Sequence, residues 1–295
     1  MSTPGTDFSA WVGKRQTVTD IISPVQVRQM AATLDDAQRM VQPDCAVLPA
    51  GWHWLYFNPL EQQAKLGTDG HPLRGDFLPP VALERRMWAG SRLRWQRPFE
   101  VGMAVEKRSE ILKISHKSGR SGDMVFVTLA HRYHDSLGLL LEEEHDIVYR
   151  DKAGEAELAA LRHTGARIRA GEHAFERQGE HLQAVRADAV MLYRYSAATF
   201  NGHRIHYDAD YCREVEGYPG LVVHGPLIAT LLLKLMAQQV APGRAIATFE
   251  FRATQPTFEL CGFHLHAAHE SAQVWRVWST NNLGQVGLDG RISLA

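Results

Sequence analysis

The most specific pattern in the chain is TFNGHRIHYD, residues 199–208, followed by YPGLVVHGPL, residues 218–227. Both stretches are rich in glycine and histidine, which is typical of loops. From about Pro226 to Gln239 the chain becomes strongly apolar, and we expect a helix there. Because strand-like segments follow this helix, it is predicted to be the buried core of its domain.

Each half of the chain ends in a series of strand-like segments. In the first half, Ser23 and Pro24 are typical of a helix start, and we expect that helix to end near Leu34. Glycine and serine near Lys117–Asp123 predict a hairpin turn. The predicted strands are 101–114, 124–129 and 139–149 in the first half, and 245–254, 258–269, 273–280 and 285–294 in the second. The predicted fold class is therefore α+β, with two copies of a unit in which an antiparallel sheet wraps around a long helix.

A stretch that is poor in apolar residues separates the two halves. Between Asp151 and Val185 charged residues dominate, and the pattern predicts at most a short helix near Glu155–Arg162. We therefore expect a first domain over residues 1–150, a linker over 151–185 and a second domain over 186–295. A strand-like entry at Ala189–Tyr195 is expected to open the second domain.

The composition permits a cytoplasmic globular protein and excludes several other classes. The 295 residues are 45% hydrophobic, which is enough to fill real cores. Thirty-two basic and thirty-three acidic side chains leave a net charge of -1, so we expect no nucleic-acid partner and no membrane attraction. The apolar run Leu227–Val240 is too short to span a bilayer. Three widely spaced cysteines suit reduced thiols rather than a disulfide scaffold.

Four motifs of the first half carry a family resemblance together with the two stretches of the second half. They are GWHWLYF at 51–57, GHPLRG at 70–75, FLPP at 77–80 and RRMWAG at 85–90. In order and spacing the sequence resembles the MaoC-like enoyl-CoA hydratases and 3-hydroxyacyl-thioester dehydratases, in the double hot-dog branch called FAS1-like or type-2 dehydratases. Within that branch it is most similar to the mesaconyl-C4-CoA and itaconyl-CoA hydratases.

The resemblance implies two hot-dog domains in one chain, packed so that their sheets form one continuous surface. The second domain would carry the catalytic loop, and the diverged first domain would shape the acyl pocket. Such a chain is similar to a fused dimer of single-domain hydratases. A further homodimer of the whole chain is compatible with this arrangement.

The family motif implies the catalytic residues of the second domain. Its histidine matches His206, whereas Asn201 stands where most family members have an aspartate. An amide cannot act as a general base, so Asn201 can only position water or substrate. Asp208 is a candidate for the missing carboxylate, with Asp35 or Asp36 as alternatives. The Gly225 amide, at the start of the apolar helix, is expected to bind the enolate oxygen.

Ligand binding is expected to use cations and aromatic side chains near these motifs. Arg85, Arg86 and Arg204 are candidates for the CoA phosphates or a free carboxylate of the acyl group. His203 would orient the substrate, and further predicted contacts are His224 and Trp54. No cofactor is expected, because CoA is part of the substrate. No metal is expected, because no third histidine or cysteine stands near His203 and His206 in the sequence.

The predicted function is that of an acyl-CoA hydratase or dehydratase, a hydro-lyase that adds water reversibly to an α,β-unsaturated acyl-CoA. The candidate substrates are mesaconyl-C4-CoA and itaconyl-CoA, which would give citramalyl-CoA. One alternative is a 3-hydroxyacyl-thioester dehydratase of fatty-acid synthesis. The others are a non-catalytic acyl-CoA binding module, because the usual aspartate is replaced, and a thioesterase, because hot-dog folds also host that reaction.

Overall fold

A computed structural model describes residues 6–41, 47–119, 122–174, 176 and 178–295. These residues form a ten-stranded antiparallel sheet and five α-helices. The strands are β1 Arg15–Ile21, β2 Arg85–Trp95, β3 Ala104–Gly119, β4 Gly122–Asp135, β5 Gly138–Arg150, β6 His181–Val185, β7 Ile246–Ala253, β8 Phe263–His269, β9 Val274–Asn281 and β10 Val286–Leu294. The helices are α1 Pro24–Thr33, α2 Ala37–Val41, α3 Glu155–Arg169, α4 Ala189–Ala198 and α5 Gly225–Leu235.

The strand order shows that the fold is an internal repeat. The sheet runs β1-β3-β4-β5-β2-β7-β10-β9-β8-β6. Counted inward from its two edges, each half places its five strands in the same sequence: first, third, fourth, fifth, second. The predicted pair of α+β units in one chain, with a continuous sheet, is therefore confirmed.

Strands β2 and β7 form the seam between the two halves. They pair antiparallel, with Ser91 opposite Phe251 and Leu93 opposite Phe249. Leu93 and Phe249 are buried and belong to one hydrophobic cluster that contains residues of both halves. The two units therefore share a core across this seam. The bounds of the two domains and of the linker stay a prediction.

Helix α5 fills the core of the second half, as predicted. Nearly all its side chains are buried, and a π-helical turn, Met236–Val240, extends it. The first half differs, because its longest described helix before β2 is the ten-residue α1. A short 3-10 turn, Trp52–Leu55, packs close to α5 instead: a Cβ on Gly51 would lie 2.7 Å from Leu233. A long central helix in each half is thus confirmed only for the second.

Local signals explain where the helices begin. Ser23 caps α1 as predicted, since its hydroxyl accepts the Val25 N–H at 3.2 Å. The predicted strand at Ala189–Tyr195 is wrong, because this segment belongs to α4. Asp188 caps it by accepting the Met191 N–H, and the buried residues Leu192, Tyr195 and Ser196 recur at helical spacing.

The segment predicted as a linker contains two ordered elements. Helix α3 is 15 residues long, nearly twice the length of the short helix that was predicted near Glu155–Arg162. Strand β6, at the end of the segment, pairs with β8 at one edge of the sheet. Pro219 packs on α3, because a Cβ on Gly165 would lie 2.4 Å from the Pro219 Cβ. The helix therefore supports the stretch 218–227.

Of the three cysteines, Cys212 and Cys261 are free thiols, in agreement with the predicted absence of a disulfide scaffold for these two. Cys45 lies outside the described residues. No helix in the described parts of the chain combines the length and the apolar character that a membrane span requires.

Replacing Gly90 by valine is expected to weaken the seam. A Cβ at this position would lie 2.3 Å from the Phe251 carbonyl oxygen on β7, so the two strands would have to move apart. We expect a loss of about 1–3 kcal/mol in the free energy of unfolding, measured by urea denaturation. Gly119→Val is the control, because a Cβ there meets no atom within 4 Å. Equal stability of the two variants would contradict the prediction.

Candidate active site

Local hydrogen bonds shape the loop 199–208 after α4. The chain reverses at Phe200, which has a positive φ of 51°, and the Asn201 N–H bonds the Ser196 carbonyl at 2.8 Å. The Asn201 Oδ1 accepts the His203 N–H at 3.0 Å. Asp208 accepts the Tyr211 N–H at 2.9 Å and also pairs with Arg204. Asn201 and Asp208 therefore both support the loop's own backbone.

A loop of the first half lies directly against this segment. The Arg204 N–H donates to the Asp69 carbonyl at 2.9 Å, and its guanidinium donates to the Thr68 carbonyl at 3.0 Å. A Cβ on Gly70 would lie 1.9 Å from the Gly202 carbonyl oxygen, and Gly70 has a φ of +88°. Only glycine satisfies both conditions at this position. The two halves thus contribute adjacent backbone to one site.

Four histidines from the two halves line up at this contact, and we call them the histidine row: His71, His203, His206 and His224. The ring centroids of His71 and His203 lie 4.1 Å apart, and those of His203 and His206 lie 5.4 Å apart. His206 stacks on His224 with centroids 3.6 Å apart. The stretches 199–208 and 218–227 therefore meet in space, and His71 joins them from the first half.

His206 is held as a neutral imidazole with a defined tautomer. Its Nδ1 lies 2.7 Å from the Val222 carbonyl oxygen, which can only accept, so Nδ1 carries the hydrogen. Burial lowers the pKa of His206 to about 4, and its side chain is only 7% exposed. The unprotonated Nε2 is therefore available as a proton acceptor at neutral pH.

His224 stacks on one face of the His206 ring. It is completely buried, and its Nε2 lies 2.8 Å from the Ser196 hydroxyl. Burial, followed by the proximity of His206, holds its pKa well below the ordinary value. His224 therefore packs as a neutral ring against His206, whereas burial and the proximity of His71 are what lower the pKa of His206.

His71 is oriented by a carboxylate. Its Nδ1 lies 3.0 Å from one oxygen of Asp69, and its backbone N–H donates to the other oxygen at 3.0 Å. Burial favours the neutral acid, but the hydrogen bonds from His71 outweigh it and lower the pKa of Asp69 to about 2. Burial and then the charge of Arg86 lower the pKa of His71 to about 4, against the effect of Asp69. An ionised Asp69 thus fixes the orientation of a neutral His71, and Nε2 is the nitrogen left unprotonated.

The three arginines of the sequence prediction occupy different environments. Arg85 is buried in an ion pair with Glu216 at 2.9 Å, and Arg204 pairs with Asp208 at 2.8 Å. Arg86 is half-buried and has no carboxylate within 4.0 Å among the described residues. Its charge nevertheless acts on His71 and His203. Of the three, Arg86 is the one without an ion pair among the described residues, and it interacts with the Tyr149 side chain.

Gly225 and Trp54 are the remaining predicted site residues. Gly225 is the first residue of α5, so its N–H has no partner within the helix, and a Cβ there would meet no atom within 4 Å. Space is therefore available beside the Cα of Gly225. Trp54 donates from Nε1 to Glu143 at 3.1 Å and packs edge-on against Trp88. Its indole belongs to a buried polar network of the first half.

The structure corrects one sequence argument about the missing aspartate. Asp36 accepts the Gln238 amide at 3.1 Å, in the turn that follows α5. His224 caps the opposite end of that helix, about 20 Å away along the axis. Asp36 and its neighbour Asp35 therefore cannot replace a carboxylate at position 201. The alternatives to Asn201 that remain near the histidine row are Asp208 and Asp69.

Sequence reasoning missed Asp69 and His71 as site residues. His71 stands in the motif 70–75 that carried the family resemblance, but no local signal places it beside His203. The argument that no third metal ligand stands nearby was also wrong. Asp69, His71 and His203 offer three ligand atoms within 4.8 Å of one another. That no metal is bound stays a prediction.

Comparisons with known proteins agree with the fold. A family model described as "Hydroxyacyl-thioester dehydratase type 2" matches residues 51–259. The chain is 41% identical over 261 residues to a protein named mesaconyl-C(4)-CoA hydratase from Chloroflexus aurantiacus. The aligned residues cover 88% of this chain and 89% of that protein.

Among solved structures, a MaoC-like dehydratase from Phytophthora capsici superposes with a TM-score of 0.69 at 13% identity, over 96% of each chain. A Mycobacterium tuberculosis protein described as having a double hot-dog fold superposes with a TM-score of 0.53 at 16% identity, again over 96% of each. The fold therefore defines a double hot-dog protein. The chain belongs to the hydroxyacyl-thioester dehydratase type 2 family of MaoC-like hydro-lyases.

Acidic pH is expected to destabilise the fold through His206. Its pKa is about 4 in the folded protein, against an ordinary value of 6.5, so the unfolded chain is protonated first as the pH falls. The stabilising contribution of the neutral, buried ring is complete above pH 6.5 and is lost between pH 6.5 and about pH 4. Urea denaturation at a series of pH values measures this loss.

The variant His206→Gln retains a donor for the Val222 carbonyl but has no proton to gain. It should flatten the dependence of the free energy of unfolding on pH in this window. His71, His203 and His224 surround His206 and keep their own contributions, so the slope should decrease rather than vanish. His269→Gln, at an exposed site on β8, is the control and should keep the wild-type slope. An unchanged slope in His206→Gln would contradict the assignment.

Proposed function

We propose that the protein adds water reversibly to the carbon–carbon double bond of a short, branched C5 dicarboxylyl-CoA. The candidates are mesaconyl-C4-CoA and itaconyl-CoA, with citramalyl-CoA as the product. The observation that carries the reaction type is the neutral His206, whose Nε2 is free while its Nδ1 is fixed on the Val222 carbonyl. The name of the Chloroflexus relative supports the acyl group.

The proton chemistry follows from the tautomer of His206. With an α,β-unsaturated thioester such as mesaconyl-C4-CoA, its Nε2 accepts a proton from water as the water oxygen attacks Cβ. The π pair of the carbon–carbon double bond then forms a bond between Cα and the thioester carbon, and the carbonyl π pair moves to the thioester oxygen. The imidazolium then returns this proton to Cα as the enolate collapses. Because a buried cation is unfavourable, the imidazolium is short-lived and is a strong acid for that second step.

The enolate oxygen is proposed to bind at the start of α5. The Gly225 N–H is unpaired within the helix, and the positive end of the helix dipole lies at the same place. Pro226 follows and has no N–H, so Gly225 is the donor nearest the stacked pair of His206 and His224. An oxyanion formed here would gain stabilisation that the neutral carbonyl of the substrate does not.

Arg86 is proposed to bind the second carboxylate of the acyl group. It is half-buried, has no ion-pair partner within 4.0 Å among the described residues, and its charge acts on His71 and Asp69. A bound carboxylate would form the charge-assisted hydrogen bond that no described carboxylate makes with it. Arg85 and Arg204 are left for more distant contacts, since Glu216 and Asp208 already neutralise them.

A 3-hydroxyacyl-thioester dehydratase of fatty-acid synthesis is the second candidate, because the matching family model carries that description. It uses the same proton chemistry but an acyl chain without a second carboxylate. Ultraviolet assay of a panel of enoyl-CoA thioesters that differ in length and charge separates the two candidates.

We also propose that the enzyme needs no cofactor beyond the CoA of its substrate, acts in the cytoplasm, and works alone or as a homodimer.

His206→Gln is expected to remove most of the hydratase activity. The amide keeps the bond to Val222 but cannot accept a proton, so kcat should fall by about 10² to 10⁴-fold with mesaconyl-C4-CoA. The measurement is the loss of enoyl absorbance, with the melting temperature as a check of folding. A folded variant with the wild-type rate would exclude His206 as the base.

Arg86→Gln is expected to change substrate preference rather than abolish activity. The value of kcat/KM for mesaconyl-C4-CoA should fall about tenfold or more, because one charge-assisted hydrogen bond is lost. The value for crotonyl-CoA, which lacks the second carboxylate, should change little. Arg94→Gln is the matched control on the same strand, at an exposed position. Equal losses on both substrates would contradict the assignment of Arg86.

A further inference from the structure

Asn201 leaves the site without one acceptor. A water molecule that attacks Cβ has two hydrogens, and His206 takes only one of them as a proton. In the family motif a carboxylate stands at the position of Asn201. Here the amide oxygen of Asn201 already accepts the His203 N–H at 3.0 Å, and an amide carries no charge.

The Asp69–His71 pair supplies the hydrogen-bond acceptor and the negative charge that Asn201 does not. Its carboxylate bonds the ring and the backbone N–H of His71, both at 3.0 Å, so the ring has one orientation. Asp69 is ionised, so the His71 imidazole is hydrogen-bonded to a negatively charged carboxylate. An oriented, neutral imidazole on an ionised carboxylate is a stronger acceptor than an imidazole alone.

The position of the pair is fixed by the second half. The backbone carbonyl of Asp69 accepts the Arg204 N–H, and Gly70 lies against the Gly202 carbonyl. His71 then contacts His203, which in turn contacts His206. The ring of His71 is therefore placed by the same loop that places His206.

On the basis of the hydration reaction proposed above, we propose that His71 is a second catalytic residue and that Asp69 is its positioning residue. His71 Nε2 accepts the hydrogen of the attacking water that His206 does not remove. The first half of the chain thus completes the catalytic site of the second.

The step balances without any further reactant. One O–H bond of water breaks and its proton passes to His206 Nε2, while the oxygen forms a bond to Cβ. The other O–H bond stays intact, is held by His71 Nε2 during the attack, and becomes the hydroxyl of the product. The proton on His206 returns to Cα, so both imidazoles end as they began.

The test compares His71→Ala and Asp69→Asn with the wild-type enzyme on mesaconyl-C4-CoA. His71→Ala should lower kcat by about 100-fold with a much smaller change in KM. Added imidazole should restore part of that rate, which a purely structural role would not allow. Asp69→Asn retains an acceptor for the ring N–H but loses the charge, and should lower kcat about tenfold.

The chain offers a matched control on its surface. His269 Nδ1 lies 2.9 Å from Glu180, and the same carboxylate accepts the His269 N–H at 3.0 Å. This pair repeats the geometry of Asp69 and His71 at an exposed place on β8. His269→Ala and Glu180→Gln should therefore keep the wild-type kcat, with and without imidazole.

Two results would overturn the inference. The first is a wild-type kcat in a folded His71→Ala or Asp69→Asn variant. The second is loss of wild-type activity with a chelator and its recovery with Zn²⁺, which would make Asp69, His71 and His203 ligands of a metal. An inactive wild-type enzyme on every enoyl-CoA tested would instead refute the proposed function.

Discussion

Antiparallel pairing of β2 with β7 is the contact on which the rest of the molecule depends. It joins two five-stranded units into one sheet and lets Leu93 and Phe249 share a single core. With the sheets continuous, the first half's loop around Gly70 meets the second half's loop around Gly202. The active site therefore exists only because the two halves are one structural unit.

The two copies of the unit have diverged in what they contribute. The second retains the buried helix α5, whose N-terminus offers an unpaired amide beside His224. In the first, the short turn Trp52–Leu55 packs near that helix, and the residues before β2 form an extended loop instead. That loop brings Asp69 and His71 to the site. The first half thus contributes side chains to the site from a loop that differs from the corresponding part of the second half.

Burial is the main electrostatic influence on the histidine row. It is the largest cause of the lowered pKa at His71, His203, His206 and His224. A buried neutral imidazole has one nitrogen that donates and one that accepts, so fixing the donor fixes the acceptor. The Val222 carbonyl does this for His206 and Asp69 does it for His71. The positive charge of Arg86 beside them opposes protonation further and favours an anionic ligand.

The sequence by itself determined the features that depend on local order. Ser23 before Pro24 predicted the cap of α1, and the apolar run predicted α5. The strand-like segments predicted β3, β4, β5 and β7 to β10, but the strands β1, β2 and β6 were not predicted. The family motif singled out His206. Local patterns failed at Ala189–Ala198, where strand and helix were both compatible with the sequence and an aspartate cap and buried positions at helical spacing favoured the helix.

Only the tertiary structure decided which charged groups share the site, because Asp69 and Arg86 lie more than a hundred residues from His206. It buried Arg85 against Glu216, removed Asp36 to the far end of α5, and placed His71 beside His203. Those outcomes follow from long-range packing of the two halves, which no short stretch of sequence encodes.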